Sequence, residues 1–133
     1  MLSPERFAEY LADSDRILLL SHNDGGASGY AMIVLGEPND DDVQGSIRIH
    51  PTSELSKLYV LESAHGDGTS HALAEAAFDA ASAAGAQGMW LGTNEQNARA
   101  IRFYEKKGFV RVGNKRFRLG NRWEDDYVFE RAV

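Results

Sequence analysis

The chain contains no cysteine, which removes a disulfide framework, a thiolate metal site and a cysteine nucleophile together. It also lacks long hydrophobic runs. The apolar stretches, Ile17 to Leu20 for example, have only the length of a strand, so no bilayer span is expected. The N-terminus shows no basic segment followed by an apolar one, and a secretory leader is not expected. These absences make a cytoplasmic location the default expectation. Positive charge is short as well, with 14 Lys and Arg against 20 Asp and Glu and a formal net charge of −6. A general nucleic-acid binder needs cations to neutralise phosphates, so that class is set aside, whereas a cationic acceptor suits the balance. His22, His50, His65 and His71 are too scattered to form a ligand motif, and no metal is expected.

What is present fits one domain over residues 1–133, with 43% hydrophobic residues and 26% charged. Ser3-Pro4-Glu5 reads as a helix start, with a capping hydroxyl, proline at the first helical position and an acid in the first turn. Arg16 to Leu20 reads as a strand, Asp24-Gly25-Gly26 as a turn and Tyr30 to Leu35 as a second strand. Pro38 to Asp42 reads as a solvated loop, without the glycine and terminal glutamate of a calcium loop. Two more strands are expected over Ser46 to His50 and Leu55 to Leu61.

Gly68 to Ala84 predicts an alanine-rich helix with Leu73, Ala77, Ala80 and Ala84 along one stripe and Gly85 as its C-terminal cap. Met89 to Leu91 follows as a strand. A helix from Glu95 to Lys107, capped by Asn94, ends at Gly108. Phe109 to Val112 with Phe117 to Leu119 reads as one long or broken strand, and Tyr127 to Phe129 closes the sheet. The expected order is α-β-β-β-β-α-β-α-β-β. It implies an α/β (α+β) domain with a mixed, mostly antiparallel central sheet flanked by helices.

Two stretches carry candidate chemistry. In Leu58-Tyr59-Val60-Leu61-Glu62-Ser63-Ala64-His65-Gly66-Asp67-Gly68-Thr69-Ser70, a strand ends, a glycine turn follows and a helix begins. Such a junction aims several N–H groups and a helix dipole at one point, where a pyrophosphate could sit; Gly66 and Gly68 could equally make only a tight turn. In the second stretch, Asn97 and Tyr104 are seven residues apart, which places them on one helical face about 10 Å apart. Tyr104 could donate a proton there or simply pack with its hydroxyl wet.

Taken together, the two stretches resemble the acetyl-CoA-binding core of the GNAT superfamily of N-acetyltransferases. That family's Gln/Arg-x-x-Gly-x-Gly/Ala loop is matched in part by His65-Gly66-Asp67-Gly68-Thr69-Ser70. Its Asn-x-x-Ala-x-x-x-Tyr-Glu-Lys-x-Gly-Phe helix is matched closely by Asn97 through Phe109. The resemblance covers Glu54 to the C-terminus and, more loosely, Ala31 to Glu54. It implies a transferase that moves an acetyl group from acetyl-CoA to the amine of a small molecule or peptide, without a metal. Leu58, Tyr59 and Val60 would lie on the family's splayed strand, beside the pantetheine arm. The Val60 amide would stabilise the developing oxyanion. His65 to Ser70 would hold the pyrophosphate, Asn97 would contact the coenzyme, and Tyr104 would protonate the leaving thiolate. Glu54 stands where some members carry a general base, which an ammonium acceptor requires; an ordinary strand-edge carboxylate is the other reading.

Three departures accompany the resemblance. The segment that starts at Ser3 follows less chain than usual, which makes a homodimer covering apolar sheet surface a possibility. His65 and Asp67 stand where cations or glutamine are usual, and Ser70 replaces Gly or Ala. A carboxylate beside a pyrophosphate is repulsive. Beside the enzyme, therefore, stands a second reading, a non-catalytic GNAT-like module with weak or no acetyl-CoA binding. A generic nucleotide-binding domain fits worse, since no P-loop lysine follows Gly68 and no Gly-x-Gly-x-x-Gly is present.

Overall fold

The structure, a computed structural model, describes residues 3–133. Helix α1 (Pro4–Ala12) starts as expected, with the Ser3 hydroxyl accepting the Arg6 N–H at 3.2 Å. Strands β1 (Arg16–Asn23) and β2 (Gly26–Leu35) form an antiparallel hairpin. Its turn is tied by Gly25 N–H to Asn23 Oδ1 at 2.8 Å and uses the positive φ of Gly26. Strand β3 (Ser53–Val60) pairs antiparallel with β2. The chain then passes through a 3-10 turn (Glu62–Ala64), helix α3 (Thr69–Ala83), strand β4 (Gly88–Asn94) and helix α4 (Ala98–Lys106). Strands β5 (Val110–Leu119) and β6 (Arg122–Ala132) end it as a long hairpin. The six strands stand in the order β1-β2-β3-β4-β6-β5, and only the β3–β4 pair is parallel. The mixed, mostly antiparallel sheet is the expected one.

Between β2 and β3 the expected order fails. Residues Asp41–Ser46 form a short helix, α2, and no strand runs from Ser46 to His50. Part of the acid-rich loop is thus helical, because the Asp40 carboxylate caps the N–H groups of Asp42 (2.9 Å) and Val43 (3.2 Å). The extended segment that follows is held by a side chain instead of a ladder. Glu130 of β6, 3% exposed, accepts the Arg48 N–H on both oxygens (3.1 and 3.0 Å) and the Ile49 N–H at 3.0 Å. Two smaller corrections concern helices. The buried stripe of α3 is Leu73, Ala74, Ala77, Phe78 and Ala81, while Ala84 is exposed beyond the helix end and Ala80 is half-buried. Helix α4 starts at Ala98 under an Asn97 cap, since Asn94 is still in β4, paired with Asp126.

The sheet separates two unequal faces. On one, α3 lies on Ala31, Ile33, Leu55, Met89, Leu91 and Phe129, and its alanines permit the close approach that bulkier residues would prevent. On the other, Val43 and Ile47 of the α2 region pack on Trp90 and Val128, and α1 rests Phe7 edge-on against Tyr30 at 6.0 Å.

Glu130→Ala should lower the unfolding free energy by about 2 kcal/mol, because two backbone donors lose a charged acceptor. Glu130→Gln should lose less. Urea unfolding of the three proteins measures this, and equal midpoints would mean that Glu130 does not hold the 47–50 segment.

Candidate active site

The site is built around an incomplete pairing. Strands β3 and β4 share a single register pair, Glu54 opposite Trp90, and beyond it they diverge. The cause is local to β3. Its register against β2 slips between Leu55 and Lys57, so Ser56 forms a bulge, and bulges bend and twist the strand that bears them. The gap that opens runs between Leu58 to Val60 on one side and Gly92 to Asn94 on the other. Leu61 N–H is bonded to Ser28 O of the β2 side at 2.8 Å. Because N–H directions alternate along a strand, the amides of Val60 and Leu58 point the opposite way, into the gap.

Cavities lie on both sheet faces at this gap. On the α3 face, about 230 Å³ is lined by Leu58, Val60, Ser70, Arg99, Ala100, Phe103 and Tyr104. The structure therefore brings Leu58, Val60, Ser70 and Tyr104 together across three elements and forty-six residues of chain. Tyr104 packs edge-on to Phe103 (5.3 Å) and Phe109 (5.7 Å), and burial raises its phenol above the usual tyrosine value. On the opposite face, about 300 Å³ is lined by residues that include Glu54, Ser56, Trp90, Arg16, Glu37, Asp40 and Lys115. Burial raises the Glu54 carboxyl above its usual range, against the opposing pull of Lys115, Arg16 and Lys57. Two of these cations have other carboxylates near them: Lys115 lies 3.9 Å from Asp40 and Arg16 3.1 Å from Asp13.

Tyr59 is not in the cleft. It faces the α2 side, stacked on Tyr30 at 5.6 Å, and lines a separate apolar cavity of about 270 Å³ with Phe7 and Leu20. The glycine turn has the shape expected of it, with φ of 84° at Gly66 and 88° at Gly68. Its polar side chains are already engaged. His65 Nε2 lies 3.1 Å from Val60 O, and Asp67 Oδ1 accepts both the N–H (2.9 Å) and the hydroxyl of Thr69. The Thr69 hydroxyl and N–H hold the exposed Asp67 carboxyl below its ordinary value. Asp67 thereby occupies the first N–H of α3, and those of Ser70 and His71 are left for an anion. Asn97 spends Oδ1 on capping Ala100 N–H at 3.2 Å. As the cap it stands at the start of α4, with its carbonyl accepting the Ile101 N–H at 3.0 Å.

Sequence reasoning passed over Trp90, Arg99 and Asp126. Trp90 is 5% exposed, and its Nε1 is a buried donor without a hydrogen-bond partner among the described residues. Asp126 Oδ2 lies 3.6 Å from where a Cβ on Gly92 would stand, at the β4 side of the gap, and burial is the main cause that raises its carboxyl. Nothing local marks these residues, because only the β3–β4 divergence gives them a shared location. Among the described residues no group of three His, Asp or Glu side chains could hold a metal ion. No helix of the described residues is long and apolar enough to cross a membrane.

The site is thus framed by a parallel strand pair forced apart, with a cleft on one face of the sheet and a polar cavity on the other. In comparison with known proteins, residues 2–109 match the Acetyltransferase (GNAT) family. The chain belongs to that family. A protein of Mycobacterium tuberculosis (strain ATCC 25618 / H37Rv) named as an uncharacterized N-acetyltransferase is 45% identical over 132 residues, 99% of this chain and 77% of that protein. Among solved structures, Arabidopsis thaliana NAA60 in complex with a bisubstrate analogue has a TM-score of 0.77 at 19% identity. That likeness covers 99% of this chain and 83% of the other. The PaiA N-acetyltransferase of Thermoplasma acidophilum, in complex with coenzyme A, has a TM-score of 0.70 at 19% identity, over 97% of this chain and 70% of the other.

A raised carboxyl pKa is a stability cost at neutral pH. Between its ordinary and its raised value the folded state binds the Glu54 proton more tightly, so stability falls as pH rises through that window and stays lower above it. Glu54→Gln should therefore melt higher than the parent at pH 7.5, and the gain should vanish below about pH 4, where the unfolded chain is protonated as well. Melting curves at the two pH values test this; a pH-independent difference would contradict it.

Proposed function

We propose that this protein, as a single domain over residues 1–133, transfers an acetyl group from acetyl-CoA to a primary amine. The observation that carries the reading is the splayed β3–β4 pair, with Tyr104 in the cleft on one face and Glu54 in the cavity on the other. When bound, acetyl-CoA supplies an activated thioester whose carbonyl carbon accepts the amine. The cleft suits it: the Leu58 and Val60 amides face a pantetheine arm, and the start of α3 faces a pyrophosphate. His65, Gly66, Asp67, Gly68, Thr69 and Ser70 form the loop at that end, and Asn97 retains its side-chain nitrogen for a contact.

The acceptor enters from the opposite face. Glu54 takes the ammonium proton, since a protonated amine has no lone pair, and its raised pKa makes it a better base than an exposed carboxylate. The Val60 amide stabilises the negative charge that develops on the carbonyl oxygen. Tyr104, its proton held more firmly by burial, donates that proton to the departing thiolate. Trp90 Nε1 offers the acceptor a buried donor beside Glu54. The acceptor is a small-molecule or peptide amine.

Asp67 favours a second reading. Its carboxylate sits on the helix N-terminus that a pyrophosphate would use, which suits a module with weak or no coenzyme binding. Calorimetric titration with acetyl-CoA separates the two. The enzyme reading expects saturable heat and a raised melting temperature, because a ligand of the folded state stabilises it. Tyr104→Phe should keep that affinity while turnover of a competent amine falls about a hundredfold or more. Neither heat nor thermal shift at millimolar acetyl-CoA would leave the module. Full turnover in Tyr104→Phe would remove Tyr104 from the chemistry.

A further inference from the structure

The charge of this protein is distributed unevenly. Between Val110 and Trp123 the chain carries five cations (Arg111, Lys115, Arg116, Arg118 and Arg122) and no acid. The other nine of the 14 Lys and Arg residues are set against all 20 Asp and Glu. These five lie on β5 and at the start of β6, in the hairpin at the outer edge of the sheet.

The cations divide by strand alternation. Lys115 and Arg122 belong to the α2 face, and each has a carboxylate nearby, Asp40 at 3.9 Å and Glu124 at 2.9 Å. Arg111, Arg116 and Arg118 belong to the α3 face and are exposed. Among the described residues none of the three has a carboxylate within ion-pair distance. Aromatic rings support two of them: Arg111 stacks on Tyr127 at 3.7 Å and Arg116 on Trp123 at 4.5 Å. Trp123 is itself 57% exposed and stands opposite Arg118 in the ladder. A guanidinium held flat on a ring keeps its in-plane N–H donors turned outward, which orders the fork that binds carboxylates in pairs.

Guarding an edge strand does not account for this array. The edge is already covered in part, since the Asp42 carboxylate accepts the Arg116 N–H at 3.0 Å and Ser46 packs on Gly113. The guanidiniums lie on a face, not along the edge, and edge protection calls for no exposed tryptophan.

We propose that the α3 face of the β5–β6 hairpin, formed by Arg111, Arg116, Arg118 and Trp123, docks an acidic polypeptide segment. Its length, the eight residues of strand from Arg111 to Arg118 with one bulge, matches a run of about six or seven extended residues. Charge complementarity selects the occupant: an acidic segment meets three guanidiniums that have no carboxylate partner among the described residues, two of them ordered by rings. Arg111 and Arg118 each also donate one N–H locally, to Asn114 Oδ1 and Gly120 O. A nucleic acid fits less well. The rings that would stack bases are already covered on one side by arginine. Asp125, opposite Arg116 on the same face, opposes either polyanion and is outnumbered by the three guanidiniums. The inference does not depend on acetyl transfer.

Fluorescence anisotropy with three labelled probes tests it: an octaglutamate peptide, its octaglutamine counterpart and a twelve-nucleotide oligo-dT. The expected result is octaglutamate binding about tenfold or more tighter than octaglutamine at low salt, weakening as salt rises. Arg116→Glu with Arg118→Glu should abolish the preference, and the double change to Gln should reduce it. Both variants should keep the parent's thermal response to acetyl-CoA, so a folding failure or a failure of the coenzyme reading would be seen separately. Equal binding of the two peptides, tighter binding of oligo-dT than of octaglutamate, or an unchanged preference in the Glu variant would each overturn the proposal.

Discussion

The bulge at Ser56 and the single parallel pair it leaves, Glu54 against Trp90, are the constraint on which the site depends. A β3 strand without the slip would continue to pair with β4, and the amides of Leu58 and Val60 would be consumed by the ladder. With the slip, backbone groups that a sheet normally satisfies internally are left outside the β3–β4 ladder, close to the core. The geometry is costly in isolation, since unpaired amides in a protein interior are unfavourable. It persists because the rest of the sheet is well paired: β4 meets β6 over seven residues, and β2 meets both of its neighbours along most of its length.

The same divergence sorts the titratable groups. Glu54 and Tyr104 lie on opposite faces of the sheet and are both shifted upward by burial, yet the consequences differ in kind. A carboxyl with a raised pKa is a stronger base once ionised, and a phenol with a raised pKa remains protonated. Glu130, a buried carboxylate of similar chemistry, serves a different end by bonding the backbone of Arg48 and Ile49. That contact fixes the segment between α2 and β3.

Much of this was readable from the chain, in proportion to how local the physics is. Ser3-Pro4-Glu5, the positive-φ glycines at 66, 68 and 85, and the alanine-rich α3 act through immediate neighbours, and each appears where the residues indicate. Two motifs mark Leu58, Val60, Ser70 and Tyr104, and the structure joins them in one cleft. What escaped depends on distance or on competition between equals. The Ser46 to His50 strand was lost to an Asp40 cap and to Glu130, a partner more than eighty residues away. Asn94 and Asn97 are equally good caps, and only the pairing of Asn94 with Asp126 decides between them. Trp90 and Asp126 come to lie beside the site solely through the opening of the β3–β4 gap. Tyr59, next to two cleft residues, turns to the other face as strand alternation requires.

The central claim is that the gap between β3 and β4 receives coenzyme A through its exposed amides. Titration of the 15N-labelled protein with coenzyme A, followed by amide chemical shifts, tests it directly. The account predicts saturable shifts at Leu58, Val60, Ser70 and His71 together with those around Tyr104, while the amides of β1 and of the β5–β6 turn stay in place. A spectrum in which Leu58 and Val60 do not move at saturating coenzyme, or in which the shifts gather elsewhere, would contradict it.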